Sequence, residues 1–254
     1  MGFDVAAESY DRYMGAWSSQ LSGQLADFTG VCPGQRVLDV GCGPGALTAE
    51  LVARIGPEGV AAVDPSASFV GAARTRHPGV DVREAPAEDL PFPDDAFDAA
   101  LAQLVVHFMA HPVAGLREMA RVTRRTGVIA ACVWDFGGGR GPLGPFWKAV
   151  RETDSNAVDE SNLAGARQGH LVQLFEAAGI TQVEEATLVA DRTYASFEDW
   201  WEPFTRGVGP GGVYVAALDD RRRTALRERC RSMLLADPIV LTAAAWAARG
   251  VVQG

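Results

Sequence analysis

The chain has 254 residues, of which 48% are hydrophobic and 22% charged, as expected for one large globular domain. Its formal net charge of −9 argues against a nucleic-acid-binding protein, because phosphate binding requires a concentrated basic surface. Four cysteines without metal-ligand spacing, and the lack of an apolar leader or spanning segment, predict a cytoplasmic protein without a metal or a membrane span. Nothing in the sequence indicates an oligomeric state.

The N-terminal part predicts a helix over residues 8–29. Its apolar residues are spaced three and four apart, which is typical of a helix that packs one face on a sheet. Tyr13 and Trp17 lie on this apolar stripe.

Residues 37–45 predict a buried parallel strand followed by a glycine turn, and residues 46–54 continue as a helix. This geometry brings backbone N–H groups close to a ligand at the helix N-terminus. The Asp39 carboxylate is a fixed acceptor that suits a ligand with an ammonium group. By itself, the spacing of Gly41, Gly43 and Ala46 also fits a dinucleotide-binding fingerprint.

From there to residue 134, strands and helices alternate, which predicts a doubly wound parallel sheet. A second strand over 59–64 ends at Asp64, which can accept both ribose hydroxyls of a nucleoside or cap the next helix, with Pro65 at its first position. Ligands of such sheets bind beyond the carboxyl ends of the strands. The remaining elements expected in this half are a helix over 66–77, strands over 80–84, 96–102 and 127–134, and a helix over 113–125.

The second half is less regular. The segment 137–169 is either a surface loop or a lid over the active edge of the sheet. Aromatic residues in a helix over 196–204 form either core or the wall of an apolar substrate site. The other expected elements are helices over 170–178 and 218–235 and strands over 180–189 and 239–252.

Three strings carry a family resemblance. Residues 37–45, VLDVGCGPG, resemble motif I of the class I S-adenosylmethionine-dependent methyltransferases, and the wider context resembles the ubiquinone/menaquinone-biosynthesis branch of small-molecule methyltransferases. Residues 10–18 resemble the family's N-terminal helix, which covers the cofactor, and residues 85–92 resemble its adenine-binding loop. Because Pro86 occupies the first acidic position of that loop, contact with the adenine amino group falls to Glu88, a backbone carbonyl or water.

The resemblance implies an α/β Rossmann-like fold with a seven-stranded, mostly parallel sheet, an antiparallel edge strand over 239–252 and a helical lid. It implies one methyltransferase domain over 1–254, with a cofactor-binding core at 30–135 and substrate-side elements at 1–29 and 136–235. The implied cofactor is S-adenosylmethionine, with S-adenosylhomocysteine as product. The implied cofactor-binding residues are Tyr13, Trp17, Asp39, Gly41, Cys42, Gly43, Gly45, Asp64, Pro65, Ser66, Ala87, Glu88, Gln103 and Leu104.

The predicted reaction is an in-line methyl transfer to a small apolar or aromatic molecule, and its main requirements are alignment and exclusion of water. His107 is the candidate general base, and Tyr13 is a candidate hydrogen-bonding group near the methyl. His107 and His111 have metal-ligand spacing, but no third ligand is evident. Two alternatives remain, an NAD(P)-dependent oxidoreductase and a cofactor-binding subunit without catalytic activity.

Overall fold

The structure is a computed structural model that describes residues 14–154, 157–207 and 209–253. Seven strands form a single sheet in this part of the chain. Their bounds are β1 Val37–Val40, β2 Val60–Asp64, β3 Asp81–Glu84, β4 Phe97–Gln103, β5 Thr123–Trp134, β6 Thr181–Tyr194 and β7 Ile239–Val251.

Helices cover both faces of this sheet. Their bounds are α1 Ala16–Thr29, α2 Ala46–Ile55, α3 Ala67–Arg76, α4 Pro112–Val122, α5 Gly144–Thr153, α6 His170–Ala177, α7 Phe197–Thr205, α8 Gly209–Ala216 and α9 Asp220–Met233. One core cluster contains buried residues of α1, α2, α5 and α7, and a second contains buried residues of α4 and α6. The predicted doubly wound architecture is confirmed.

The strand order is β3-β2-β1-β4-β5-β7-β6. β1 pairs in parallel with β2 and β4, and every residue of β1 and β2 is buried, as expected for central parallel strands. The carboxyl ends of these three strands therefore meet at one edge of the sheet. This edge carries the candidate site.

The antiparallel strand of the predicted sheet is β7, and it lies one place in from the edge. β7 pairs with both β5 and β6, so that β6 forms the edge next to it. The run Ala243–Ala248 is buried throughout, whereas β6 exposes many of its side chains, as an edge strand does. Small alanine side chains suit β7 to an interior position covered on both faces.

α1 is attached to the edge strand by two glutamine side chains. Gln20 donates to the carbonyl of Asp191 at 2.7 Å and accepts from the N–H of Asp191 at 3.0 Å. Gln24 forms the same pair of bonds with Val189, at 2.7 and 3.1 Å. α1 is thereby fixed across the sheet toward β6. Of the predicted helix over 8–29, residues 8–13 and the candidate Tyr13 lie outside the described residues.

Several boundaries differ from the prediction, and the strand expected over 180–189 runs from Thr181 to Tyr194. The helix expected over 113–125 ends at Val122, and the strand expected from residue 127 already begins at Thr123, which pairs with Phe97 of β4 before a register shift. The segment 137–169 contains α5, which buries Phe146 and Trp147 in the core, so this part is not an open loop. No helix within the described ranges is long and apolar enough to cross a membrane.

Candidate active site

The turn after β1 has the left-handed backbone that its glycines permit. The φ angles of Gly41, Gly43 and Gly45 are +70°, +53° and +101°. The N–H groups of Gly41 and Cys42 both donate to the carbonyl of Val63 in β2, at 2.8 and 2.9 Å. The N–H of Gly45 donates to the carbonyl of Cys42. These donors are therefore used inside the turn, and the donors left for a ligand are those of the first turn of α2, which no side chain caps.

The three glycines differ in what surrounds them. A Cβ at Gly41 would lie 2.5 Å from Cγ2 of Val105, and one at Gly45 would lie 2.5 Å from Nε2 of His77. A Cβ at Gly43 would have no described residue within 4 Å. Gly41 and Gly45 are thus required for packing, whereas the open space above Gly43 leaves room for a ligand.

Asp64 ends β2 beside this turn and is only 6% exposed. Its carboxylate accepts the N–H of Gly43 at 2.9 Å and the N–H of Ser66 at 2.8 Å. Burial raises the pKa of Asp64, and the two backbone donors oppose that rise. Ser66 is the N-cap residue of α3, so Pro65 precedes the helix and Asp64 is not its cap. A carboxylate oxygen can accept two hydrogen bonds, and the predicted diol-binding role uses one acceptor position on each oxygen of Asp64.

Asp39 lies in β1 and is 1% exposed, and one of its two carboxylate oxygens has a hydrogen-bond partner among the described residues. Thr48 of α2 donates to its Oδ2 at 2.6 Å, whereas Oδ1 has no partner among the described residues. Burial raises the pKa of Asp39 to about 7, the Thr48 bond lowers it, and the negative charge of Asp64 raises it further. A buried acceptor without a donor is costly, so Oδ1 of Asp39 remains available to a further hydrogen-bond donor. Sequence reasoning missed Thr48, although a polar residue inside an apolar helical pattern was a usable signal.

The loop after β3 is held to α4 by Glu88. Oε1 of Glu88 accepts the N–H of His111, the N-cap residue of α4, at 3.0 Å. Ala87 is 7% exposed and packs in the core cluster of α4. The loop is therefore tied to α4.

The end of β4 brings Gln103 against α1. Its Nε2 donates to the carbonyl of Ser18 at 3.1 Å, and its Oε1 is buried without a partner among the described residues. Leu104 follows with φ +60°, and its N–H donates to the carbonyl of Cys132 in β5 at 2.8 Å. The amide oxygen of Gln103 is a second unsatisfied acceptor at the same edge as Asp39. The partner Ser18 was missed because one serine on a helix gives no signal of a distant contact.

His107 lies in a short 3-10 helix after β4 and is 8% exposed. Burial lowers its pKa to about 3, so the imidazole is neutral at physiological pH. Its Nδ1 is buried without a partner in the described part of the chain, and its ring contacts Phe108 and Phe136 at centroid distances of 3.9 and 5.7 Å. No cluster of three potential metal ligands occurs among the described residues.

Trp17 closes the site from α1. It is 1% exposed, and its ring meets that of Trp134, at the end of β5, edge to face at 6.1 Å. Trp200 of α7 also lies in this core cluster. The four aromatic residues of α7 are 1–7% exposed and their rings contact one another, so most of their surface is core; they are Phe197, Trp200, Trp201 and Phe204. A void of about 10 Å³ remains between Trp17, Trp200 and their neighbours.

Residues 38–131 match the family model described as a methyltransferase domain. Over 237 residues the chain is 32% identical to a demethylmenaquinone methyltransferase of Clavibacter sepedonicus, covering 84% of this chain and 91% of that protein. The chain therefore belongs to the class I S-adenosylmethionine-dependent methyltransferases. The cofactor of this methyltransferase is S-adenosylmethionine, and the family does not favour the oxidoreductase alternative.

Other relatives match the methyltransferase over shorter stretches. A chloroplastic 2-methyl-6-phytyl-1,4-hydroquinone methyltransferase of Oryza sativa is 39% identical over 115 residues, which are 44% of this chain and 31% of that protein. Among solved structures, the YcgJ protein of Bacillus subtilis has a TM-score of 0.58 at 20% identity, covering 92% of this chain and 99% of that one. A phosphoethanolamine N-methyltransferase of Haemonchus contortus, solved with S-adenosyl-L-methionine, has a TM-score of 0.58 at 17% identity. The match covers 97% of this chain and 57% of that one. These structural likenesses show the fold.

Proposed function

We propose that this methyltransferase acts on a small ring compound of the quinol type. The observation that carries the proposal is the aromatic closure of the site, in which Trp17 meets Trp134 edge to face beside Trp200. Aromatic side chains offer a planar ring both stacking and edge contacts. The names of the Clavibacter and Oryza relatives, a demethylmenaquinone and a hydroquinone methyltransferase, support the same class.

The residues at the strand ends fit the cofactor. Bound S-adenosylmethionine supplies an electrophilic methyl group on a sulfonium. We propose that Asp64 accepts the ribose hydroxyls, that Oδ1 of Asp39 receives the ammonium charge, and that Gly43 leaves the space the cofactor occupies. We also place in this site five residues whose backbone lies along it: Cys42, Pro65, Ser66, Ala87 and Leu104. Glu88 contributes by holding the loop after β3 to α4.

Residues of this chain also prepare the acceptor side. Trp17 and Gln103 join α1 to the ends of β5 and β4 and exclude water from the space between them. We propose that His107 takes the proton of the acceptor. Burial keeps the imidazole neutral but also makes it a weak base, so His107 takes the proton only from an acceptor that methyl transfer has made strongly acidic. Tyr13 stays a prediction for the same region.

We propose that the chain divides into a part that binds the cofactor and parts that frame the acceptor. Residues 30–135 bind the cofactor, while residues 1–29 and 136–235 frame the acceptor within one domain over 1–254. All four cysteines are free, which supports a reducing compartment such as the cytoplasm.

The test is titration calorimetry of the purified protein with S-adenosylhomocysteine, with NADH as control, followed by methyl transfer from labelled S-adenosylmethionine to a series of quinols. We expect micromolar binding of S-adenosylhomocysteine alone, and label in at least one quinol. Binding without turnover on any ring compound would contradict the proposed acceptor and leave a catalytically silent subunit. Absence of binding would contradict the cofactor site.

A further inference from the structure

A cavity of about 600 Å³ lies beside the glycine-rich segment that follows β5. Its walls come from residues 138–151, from β6, from the start of β7 and from the end of α9. Its size falls within the range of small-molecule sites. None of the residues proposed to hold the cofactor lines it, so this cavity is separate from the proposed cofactor site.

Every charged residue that lines the cavity within the described ranges is a cation. These residues are Arg140, Lys148 and Arg151. Lys148 is also the sole lysine of a chain whose net charge is −9. Three cations around one cavity in an acidic protein create a local positive potential that favours an anion.

Each of the two arginines is fixed by a hydrogen bond to one carboxylate, and each guanidinium has further N–H donors. Nε of Arg140 donates at 2.5 Å to the buried carboxylate of Asp135, and the guanidinium lies over the ring of Trp246 at 5.0 Å. Nη1 of Arg151 donates to Asp159 at 2.7 Å. Within the described part of the chain, both terminal nitrogens of Arg140 and Nη2 of Arg151 have no hydrogen-bond partner. Such fixed, partly used guanidinium groups are suited to binding a carboxylate or phosphate.

Lys148 adds a third positive charge. Glu152, one turn further along α5, attracts it electrostatically but is itself ion-paired with Arg229 at 2.5 Å. Lys148 is exposed on α5, and it forms no hydrogen bond or ion pair with any residue that the structure describes. Asp135 and Asp159 are ion-paired with the two arginines and Glu152 with Arg229, so Lys148 is the cation of the cavity that is held least by a carboxylate.

The opposite wall is apolar. Met233 and Leu234 at the end of α9 and Leu241 of β7 line it. Leu235, which follows Leu234 in the chain, is 83% exposed and adds apolar surface next to this wall. A ligand that satisfies both walls carries an anionic group at one end and an aliphatic chain at the other.

We propose that this cavity binds a single-chain anionic amphiphile, meaning an aliphatic chain that ends in a carboxylate or a phosphate monoester. The site goes beyond the proposed methyl transfer and does not depend on it. Pro142 lines this cavity and also the small void beside Trp17 and Trp200, so the occupant lies one residue away from the aromatic side of the acceptor site.

Because Lys148 is the only lysine, its chemical modification reports on the cavity directly. Acetylation of Lys148 by an N-hydroxysuccinimide ester is followed by peptide mass spectrometry, which separates it from the N-terminal amine. The probes are octyl phosphate, octanoate, octanol and inorganic phosphate. We expect octyl phosphate or octanoate to slow acetylation of Lys148 at least about fivefold at saturation, whereas octanol and inorganic phosphate do not. The stronger of the two anions identifies the head group.

Calorimetry with the same probes uses Lys148→Gln and the control Arg125→Gln, which removes one exposed positive charge outside the cavity. We expect only Lys148→Gln to weaken binding of the preferred anion, by about fivefold or more, while both variants bind S-adenosylhomocysteine as the wild type does. Failure of both anions to protect Lys148 overturns the proposal. Equal protection by octanol rules out the anionic head, and equal protection by inorganic phosphate rules out the apolar chain. If the wild-type protein does not bind S-adenosylhomocysteine, that result contradicts the proposed cofactor site and leaves the proposal for this cavity unaffected.

Discussion

Three glycine-to-alanine substitutions separate the roles of the turn after β1. Gly34 and Gly43 both have positive φ, +90° and +53°, and a Cβ at either position would meet no described residue within 4 Å. Each alanine therefore costs only the left-handed strain of an L-residue, about 1–2 kcal/mol. Gly41→Ala adds an overlap, because the new Cβ would lie 2.5 and 2.6 Å from the two methyl carbons of Val105. Overpacking of that kind costs a further ~1–3 kcal/mol.

The assays are urea unfolding without ligand and calorimetric titration with S-adenosylhomocysteine. We expect Gly34→Ala and Gly43→Ala to lose similar, small amounts of stability, and Gly41→Ala to lose clearly more. Gly41→Ala combined with Val105→Ala should relieve the overlap but retain the φ strain. Only Gly43→Ala, whose methyl enters the open space above the turn, should lose affinity while remaining stable, by about tenfold or more, equivalent to ~1.4 kcal/mol.

The result that refutes this reasoning is a folded Gly43→Ala protein that binds S-adenosylhomocysteine as tightly as the wild type. The cofactor would then not approach Gly43. An equal loss in Gly34→Ala would point to a general effect of strain, because Gly34 is exposed and precedes β1.

Three further predictions concern the titratable groups. Asp64→Ala should weaken binding of S-adenosylhomocysteine by ~1–3 kcal/mol through loss of charge-assisted bonds, and unchanged calorimetric affinity in a folded variant would remove its ribose role. The pKa of Asp39 is about 7 in the folded protein and near 3.8 when unfolded, so its contribution to the free energy of unfolding is fully present below about pH 4 and is lost as pH rises through 7, by about 4 kcal/mol at most. Urea midpoints across pH 4–9 should show this decline in the wild type and less of it in Asp39→Asn, and identical profiles would contradict it. His107→Gln should retain cofactor affinity and lose more than about tenfold in turnover, and wild-type turnover should show no inflection from His107 above about pH 5; a smaller loss would exclude general-base duty.

The parts of the site that sequence predicts are those encoded locally. The glycines at 41, 43 and 45 and the acid at 64 stand at fixed distances from strand ends, so a pattern of a few residues locates them. The doubly wound order from β1 to β5 follows from alternation of strands and helices. The placement of β7 between β5 and β6 depends on pairing between distant segments, which a run of alanines does not reveal.

The contacts that complete the site are long-range, and sequence does not indicate them. Gln103 meets Ser18 across 85 positions of the chain, and Trp134 meets Trp17 from the far end of β5. The low pKa of His107 also arises from tertiary burial and not from its sequence neighbours. The sequence therefore predicts which strand ends carry the cofactor site. It does not predict whether the aromatic residues of α7 belong to the core or to the wall of the substrate site.

The attachment of α1 to β6 has a consequence for self-association. An edge strand exposes N–H and C=O groups that can template pairing with another chain, and Gln20 and Gln24 occupy these groups at residues 189 and 191. Gln20→Ala with Gln24→Ala should accelerate aggregation detected by light scattering, and unchanged scattering would contradict this protective role. If α1 detaches when the cofactor dissociates, the backbone N–H and C=O groups of the edge strand β6 become unpaired at the same time. Cofactor occupancy and resistance to intermolecular strand addition are then coupled through one helix.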